Sequence, residues 1–222
     1  MSSKKKVGVL RFLGTNCDQD MWKAVEAVGL TPEWLWYENN FEADDYQAFI
    51  IPGGFSYGDY LRCGALAARS PVVDSLKKAA AKGYPVLGVC NGFQILCEAG
   101  LLPGALIRND SLRFIDDWVT LKLENPHGVF ASPTLKEAHL PIAHGEGRFV
   151  IDQDDMKKLE DKGQVWWRYK DNPNGSLGNI AGVMNEKKNV AALMPHPERA
   201  IHDWMGGKDG ESFFTGILKG AL

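Results

Sequence analysis

The segment Gly88-Val89-Cys90-Asn91-Gly92 sets a thiol between two glycines at the end of an apolar run. That is the strand–turn–helix pattern of a nucleophile elbow, with cysteine in place of serine. The glycines suit a turn so tight that side chains two residues from the nucleophile would strike neighbouring backbone. A thiol at the start of a helix also meets the positive end of the helix dipole, which favours the reactive thiolate. Taken alone, Cys90 could also be a small buried residue at a strand end, the commonest role of a free cysteine.

Two further strand ends change that balance. Met194-Pro195-His196-Pro197-Glu198 follows the apolar run Val190–Leu193. His196 and Glu198 lie two apart on a proline-restricted, extended segment, a spacing that puts both side chains on one face. The carboxylate can then accept the imidazole N–H and fix its tautomer. Cysteine, histidine and carboxylate are the minimum set for an activated thiol: nucleophile, proton carrier and orienter. Without Cys90 these five residues would read as a polar turn. In Ile51-Pro52-Gly53-Gly54-Phe55-Ser56, consecutive glycines can turn backbone N–H groups toward a crevice, which suits an oxyanion hole completed by the N–H of Asn91.

These residues need a scaffold that brings strand ends together. The first half alternates short apolar runs with stretches of helical periodicity, the mark of βαβ units and a parallel sheet covered by helices. Strands are predicted at Val7–Leu13, Glu33–Trp36, Ala48–Ile51 and Val86–Val89, and helices at Asp18–Val28, Pro71–Lys82 and Gly92–Ala99. From about residue 105 the pattern turns to hairpin-like strands: Trp118–Leu123, Ile142–Ile151, Gln164–Tyr169, Ile180–Met184 and Val190–Met194, before a closing helix at Glu211–Lys219. The expectation is one α/β domain over residues 1–222, an open, mostly parallel sheet flanked by helices, extended by antiparallel strands in its C-terminal half. In such sheets ligands bind at the carboxyl ends of the strands, where the three motifs fall.

Composition narrows the function classes. The chain has 222 residues, with 25 Lys+Arg against 28 Asp+Glu, a formal net charge of −3. That balance argues against nucleic acid or an acidic membrane as partner, since neutralising phosphates takes a clustered basic excess. No apolar run approaches the ~20 residues that span a bilayer, and the run after Lys4–Lys6 is broken by Arg11 before it could serve as a signal peptide. Cys17, Cys63, Cys90 and Cys97 form no disulfide framework, and free thiols fit a cytoplasmic protein. Cys17, Cys63 and Cys97 read as packing residues. His127, His139 and His202 lack metal-ligand spacing and His144 reads as a satisfied loop residue, so no metal site is expected.

The three motifs in this order, with Gln94 after the elbow, resemble the class I (triad) glutamine amidotransferases over essentially the whole chain. The flanks Gly14-Thr15-Asn16-Cys17-Asp18, Phe55-Ser56-Tyr57-Gly58-Asp59, Ala143-His144-Gly145-Glu146-Gly147 and Arg199 are similar to those of the glutaminase subunits of phosphoribosylformylglycinamidine synthases. The resemblance implies a flavodoxin-like fold and a glutaminase half-reaction. Cys90 would attack the side-chain carboxamide of L-glutamine, Gly54 and Asn91 would hold the oxyanion, and His196 with Glu198 would move protons. Gln94 and the backbone around Gly145 and Glu146 would hold the substrate's α-amino and α-carboxylate groups.

The acceptor reaction in that family consumes ATP, yet the chain has no GxxxxGK[ST] and no GxGxxG, and no room for a second nucleotide-binding domain. The resemblance therefore implies no cofactor in this chain, and a larger synthetase subunit that carries ATP and magnesium, with a small third component beside it. Glutaminases for other acceptors (in a pyridoxal phosphate, histidine or carbamoyl phosphate pathway) stay open. So do an elbow-cysteine hydrolase or chaperone-like protein, and a regulatory subunit that only binds glutamine. His196-Pro197-Glu198 after the last strand speaks against the latter two.

Overall fold

Apolar residues at consecutive positions make a strand buried on both faces, which is how a sheet covered by helices is coded. In a computed structural model, which describes residues 6–130 and 135–219, the chain runs β1 (Lys6–Arg11), α1 (Asp18–Ala27), β2 (Thr31–Trp36), β3 (Ala48–Ile51), α2 (Pro71–Lys82), β4 (Val86–Val89) and α3 (Asn91–Glu98). It continues through β5 (Ala105–Ile107), β6 (Ile115–Leu123), β7 (Glu137–His144), β8 (Arg148–Val150), α4 (Gln153–Asp161), β9 (Val165–Tyr169), β10 (Ile180–Met184), β11 (Val190–Leu193) and α5 (Glu211–Lys219). Every residue of β3, β4, β10 and β11 is buried. α2 starts with Pro71 in its first turn, buries Val72, Val73, Leu76, Ala79 and Ala80, and stops at Gly83, whose φ of 98° is open to glycine at little cost.

Among the described residues, nine strands form one sheet in the order β2-β1-β3-β4-β11-β10-β9-β6-β7. The strands β2-β1-β3-β4-β11 are mutually parallel. That is the 2-1-3-4-5 order of flavodoxin-like sheets, with its crevice at the carboxyl ends where strand order reverses between β1 and β3. Register pairs Ile51 with Gly88 and Val89 with Leu193, so the Pro52-Gly53 turn, Cys90 and the Met194–Glu198 segment leave the sheet at one level.

The other four strands add on antiparallel. In a flat sheet β7 would lie about 19 Å from β11, four strand spacings away. Instead the Pro141 carbonyl of β7 accepts the His196 N–H at 2.8 Å, and the Ala143 carbonyl lies 3.9 Å from the Cys90 sulfur. The antiparallel extension therefore curls back over the strand ends and roofs the crevice.

Four expectations need correction. The Ile142–Ile151 run is two strands, because Gly145-Glu146-Gly147 turns the chain and β8 leaves to pair with β5 in a separate two-stranded sheet. Two elements were not foreseen: β5, only three residues long and half-exposed, and α4, a strongly polar helix in which Leu159 alone is buried. β2 begins at Thr31 and includes Pro32, which the sheet tolerates because β2 is an edge strand. Lys4 and Lys5 lie outside the described residues.

Candidate active site

Cys90 joins β4 directly to α3, with φ 50° and ψ −104°, a conformation that costs a non-glycine residue about 1–3 kcal/mol. Backbone bonds on both sides hold the strain: the Cys90 N–H donates to the Leu193 carbonyl at 2.9 Å, and its own carbonyl accepts from Phe93 and Gln94 at 2.9 and 3.2 Å. The neighbouring glycines are steric requirements. A Cβ on Gly92 would lie 2.1 Å from the Ile51 carbonyl oxygen, and one on Gly88 2.6 Å from the Leu96 side chain and 2.8 Å from the Gly92 carbonyl.

His196 and Glu198 are both buried, with the imidazole Nδ1 2.6 Å from the Glu198 carboxylate. Burial alone would pull the His196 pKa down; the negative charge of Glu198, then that of a Cys90 thiolate, and the polar contact of the Cys17 and Cys90 sulfurs outweigh it and hold the imidazole well above its ordinary value. Its Nε2 has no hydrogen-bond partner among the described residues. Gly53 closes the gap between the two motifs, since a Cβ there would sit 2.8 Å from His196 Cε1 and 3.4 Å from Cys90 Cβ. The structure thus brings Cys90, His196 and Glu198 to one point, as their places after β4 and β11 require.

Gly54 has φ 147°, and any side chain on it would meet Asn16, Gly14 and Thr15 backbone at 2.8 Å. The N–H groups of Gly54 and Asn91 donate no hydrogen bond among the described residues, so both remain free to bind an oxyanion. The Asn91 side chain is a strut: it accepts from the Ser56 N–H at 3.2 Å and donates to the Gln94 carboxamide oxygen at 2.8 Å. Gln94 in turn donates to the Glu146 carbonyl at 2.7 Å. Gly54, Asn91, Gln94 and the Gly145-Glu146 turn therefore form one connected wall beside Cys90. The Glu146 carboxylate points away from that wall, toward the Cys63 thiol at 3.1 Å and Arg108 at 3.6 Å.

Two histidines behave differently in this small volume. His144, at the end of β7, is buried and pushed down to about 4, by burial first and by the nearby His196 charge second. The Asn109 carboxamide donates through Nδ2 to two carbonyls, so its oxygen accepts, and His144 Nδ1 at 3.1 Å must carry the proton. His144 is therefore neutral at pH 7, but it is not the satisfied residue expected from sequence: its buried Nε2 has no hydrogen-bond partner among the described residues.

Cys17 is the residue that sequence reasoning missed. It precedes α1, far from the other motifs in sequence, yet a donor atom of each of Cys17, His196 and Glu198 lies within 4.8 Å of the others. Those three types could hold a metal ion; His196 Nδ1 and Glu198 Oε1 are committed to each other at 2.6 Å, while His196 Nε2 and Glu198 Oε2 have no hydrogen-bond partner among the described residues. Two sequence signals pointed to it: Cys17 sits in the Gly14–Asp18 segment that carries the resemblance, and it follows β1, at the same edge of the sheet as the three motifs.

This elbow, with its buried imidazole–carboxylate pair and two free N–H groups, can carry out acyl transfer from an amide. The chain belongs to the family of CobB/CobQ-like glutamine amidotransferase domains, whose model matches residues 4–211. Within solved structures it is 44% identical to a chain of PurLQS from Thermotoga maritima, over 97% of this chain and 98% of that one, with a TM-score of 0.89. A candidate GMP synthase component from Thermoplasma acidophilum (12% identity, 100% and 96% covered, TM-score 0.68) and a glutamine amidotransferase from Thermotoga maritima (14%, 99% and 96%, TM-score 0.61) share the fold. No helix among the described residues is long and apolar enough to cross a membrane.

Proposed function

We propose that the chain is a PurQ-like glutaminase subunit of a phosphoribosylformylglycinamidine synthase, working in de novo purine synthesis. The observation that carries this reading is the strained Cys90 facing the buried, 2.6 Å His196–Glu198 pair. The 44% identity to a chain of PurLQS from Thermotoga maritima supports the choice of acceptor.

The Cys90 thiol gives its proton to His196 and its sulfur attacks the side-chain amide carbon of L-glutamine, while the N–H groups of Gly54 and Asn91 bind the oxyanion, each worth about 3 kcal/mol in the transition state. The C–N bond then breaks as His196 gives its proton to the departing nitrogen. Ammonia leaves and a Cys90 thioester remains. His196 next takes a proton from water, whose oxygen attacks the thioester carbon; glutamate departs and the thiol is restored. Glu198 keeps the imidazole in the tautomer and orientation that both steps need. Gln94 and the backbone at Gly145 and Glu146 hold the α-amino and α-carboxylate groups.

Ammonia released into water becomes ammonium, which is not nucleophilic, so it must pass directly to a larger PurL-like synthetase. That subunit, with ATP and magnesium, converts formylglycinamide ribonucleotide to formylglycinamidine ribonucleotide, and a small PurS-like subunit completes the assembly in the cytoplasm. The loops at residues 14–18 and 56–63 are the contact. Beside them Leu13 and Phe55 are about half exposed and Tyr60 and Leu61 more so, at 75% and 83%. Neither nucleic acid nor membrane is a partner.

In the reconstituted complex, Cys90→Ser should abolish glutamine-dependent synthesis while synthesis from added ammonium salts continues. Continued use of glutamine would remove Cys90 from its role.

A further inference from the structure

The thiol of Cys17 has surroundings that a packing cysteine does not have. It is buried, and its sulfur accepts a hydrogen bond from Arg199 Nη2 at 3.2 Å; Arg199 Nε in turn donates to Asp20 at 3.2 Å on the first turn of α1. A donor atom of Cys17 lies within 4.8 Å of one on His196 and one on Glu198. A Cβ on Gly53 would touch His196 Cε1 at 2.8 Å and the Cys17 sulfur at 3.2 Å, so sulfur and imidazole crowd the same side of Gly53. The Cys17 backbone is fixed as well: its N–H donates to the Gly53 carbonyl at 3.3 Å and its carbonyl accepts from Met21 at 3.1 Å.

We propose that Cys17 is a positioning residue for the proton carrier: its sulfur, clamped by Arg199, seats the His196–Glu198 pair against the loop between β1 and α1. The proposal rests on the glutaminase reading and adds to it a fourth side chain. A guanidinium, an imidazole and a carboxylate lie near one sulfur, with the Asn16 carboxamide oxygen at 3.9 Å. Alanine would leave the Arg199 donor without its acceptor and open space beside the imidazole. Serine would keep an acceptor with a shorter reach. Because the loop that carries Cys17 also rims the crevice, a partner seated there bears on the imidazole through one side chain.

The charged and titratable groups around His196 are Glu198 on its own segment, Cys90 at the end of β4, Cys17 before α1 with Arg199 behind it, and neutral His144 at the end of β7. Cys17 contributes to holding the imidazole proton, so its removal should lower the pH at which His196 titrates. In the full chain with its synthetase partner, Cys17→Ala is expected to lower glutaminase kcat about tenfold or more, with KM for glutamine within about twofold. The alkaline limb of the pH profile, where His196 loses the proton it must give to the leaving nitrogen, should move to lower pH, and Cys17→Ser should recover part of both. A kcat within twofold of the parent, an unmoved alkaline limb, or a loss confined to KM overturns the proposal. If Cys17→Ala does not fold, Arg199→Gln serves in its place with the same two outcomes. The His196 imidazole titration followed by NMR is a second readout that needs no turnover: an unchanged titration in Cys17→Ala overturns the positioning role. Failure of the glutaminase reading itself is seen separately, as an unmodified parent chain that hydrolyses no glutamine.

Discussion

Cys90 can hold φ 50° and ψ −104° only because the residues around it leave no alternative. Strain of about 1–3 kcal/mol at one residue persists when its neighbours over-determine it, and here the neighbours are two glycines and the backbone of three strands. A methyl group on Gly92 would stand 2.1 Å from the Ile51 carbonyl oxygen, which belongs to a central strand and cannot yield. Gly92→Ala should therefore destabilise the chain by about 3 kcal/mol or more, read as a lower urea midpoint with an unchanged slope. An unaltered midpoint would mean that the turn is not set by that contact. The spacing of Gly88, Cys90 and Gly92 was legible in sequence because steric need acts on near neighbours. So was the pairing of His196 with Glu198, two residues apart. Cys17 was not legible, because its partners Arg199 and His196 reach it only through the fold.

At the scale of elements, Cys17, Gly54, Cys90 and the His196–Glu198 pair each follow a parallel strand, and the wall of the crevice is tied by one side chain. Asn91, in the first turn of α3, links the loop after β3 through Ser56, and the turn after β7 through Gln94. Asn91→Ala would leave the Ser56 N–H and the Gln94 carboxamide oxygen without partners in a buried site. The expected cost is about 2 kcal/mol, a fall in Tm of about 5 °C. A melt indistinguishable from the parent would show that the wall does not depend on this strut. The parallel half of the sheet was readable because its strands are continuous apolar runs bounded by Gly and Pro. The second half was harder. α4 is strongly polar and buries only Leu159, so its apolar face is narrow, and the break at Gly145-Glu146-Gly147 is a matter of packing: a Cβ on Gly147 would lie 2.4 Å from the His144 ring.

Over the whole molecule, the curled antiparallel strands place His144 in the same buried volume as His196 with an opposite preference for the proton. Its folded-state pKa lies below the ordinary value of 6.5, at about 4, so the unfolded chain binds the proton first as pH falls. The stability this group contributes is fully present above about pH 6.5 and is lost on acidification toward pH 4, on the order of 3 kcal/mol. The pH dependence of unfolding between 6.5 and 4 should thus be shallower in His144→Asn than in the parent, and equal slopes would refute a buried neutral His144. The central claim is that this architecture exists to make one thiol, among four, react with glutamine. Peptide mapping after exposure to a glutamine-mimicking diazo ketone tests it most directly. The account predicts a single adduct on Cys90, suppressed by added glutamine; an adduct on Cys17, Cys63 or Cys97 instead, or glutaminase activity that survives without any adduct, would contradict it.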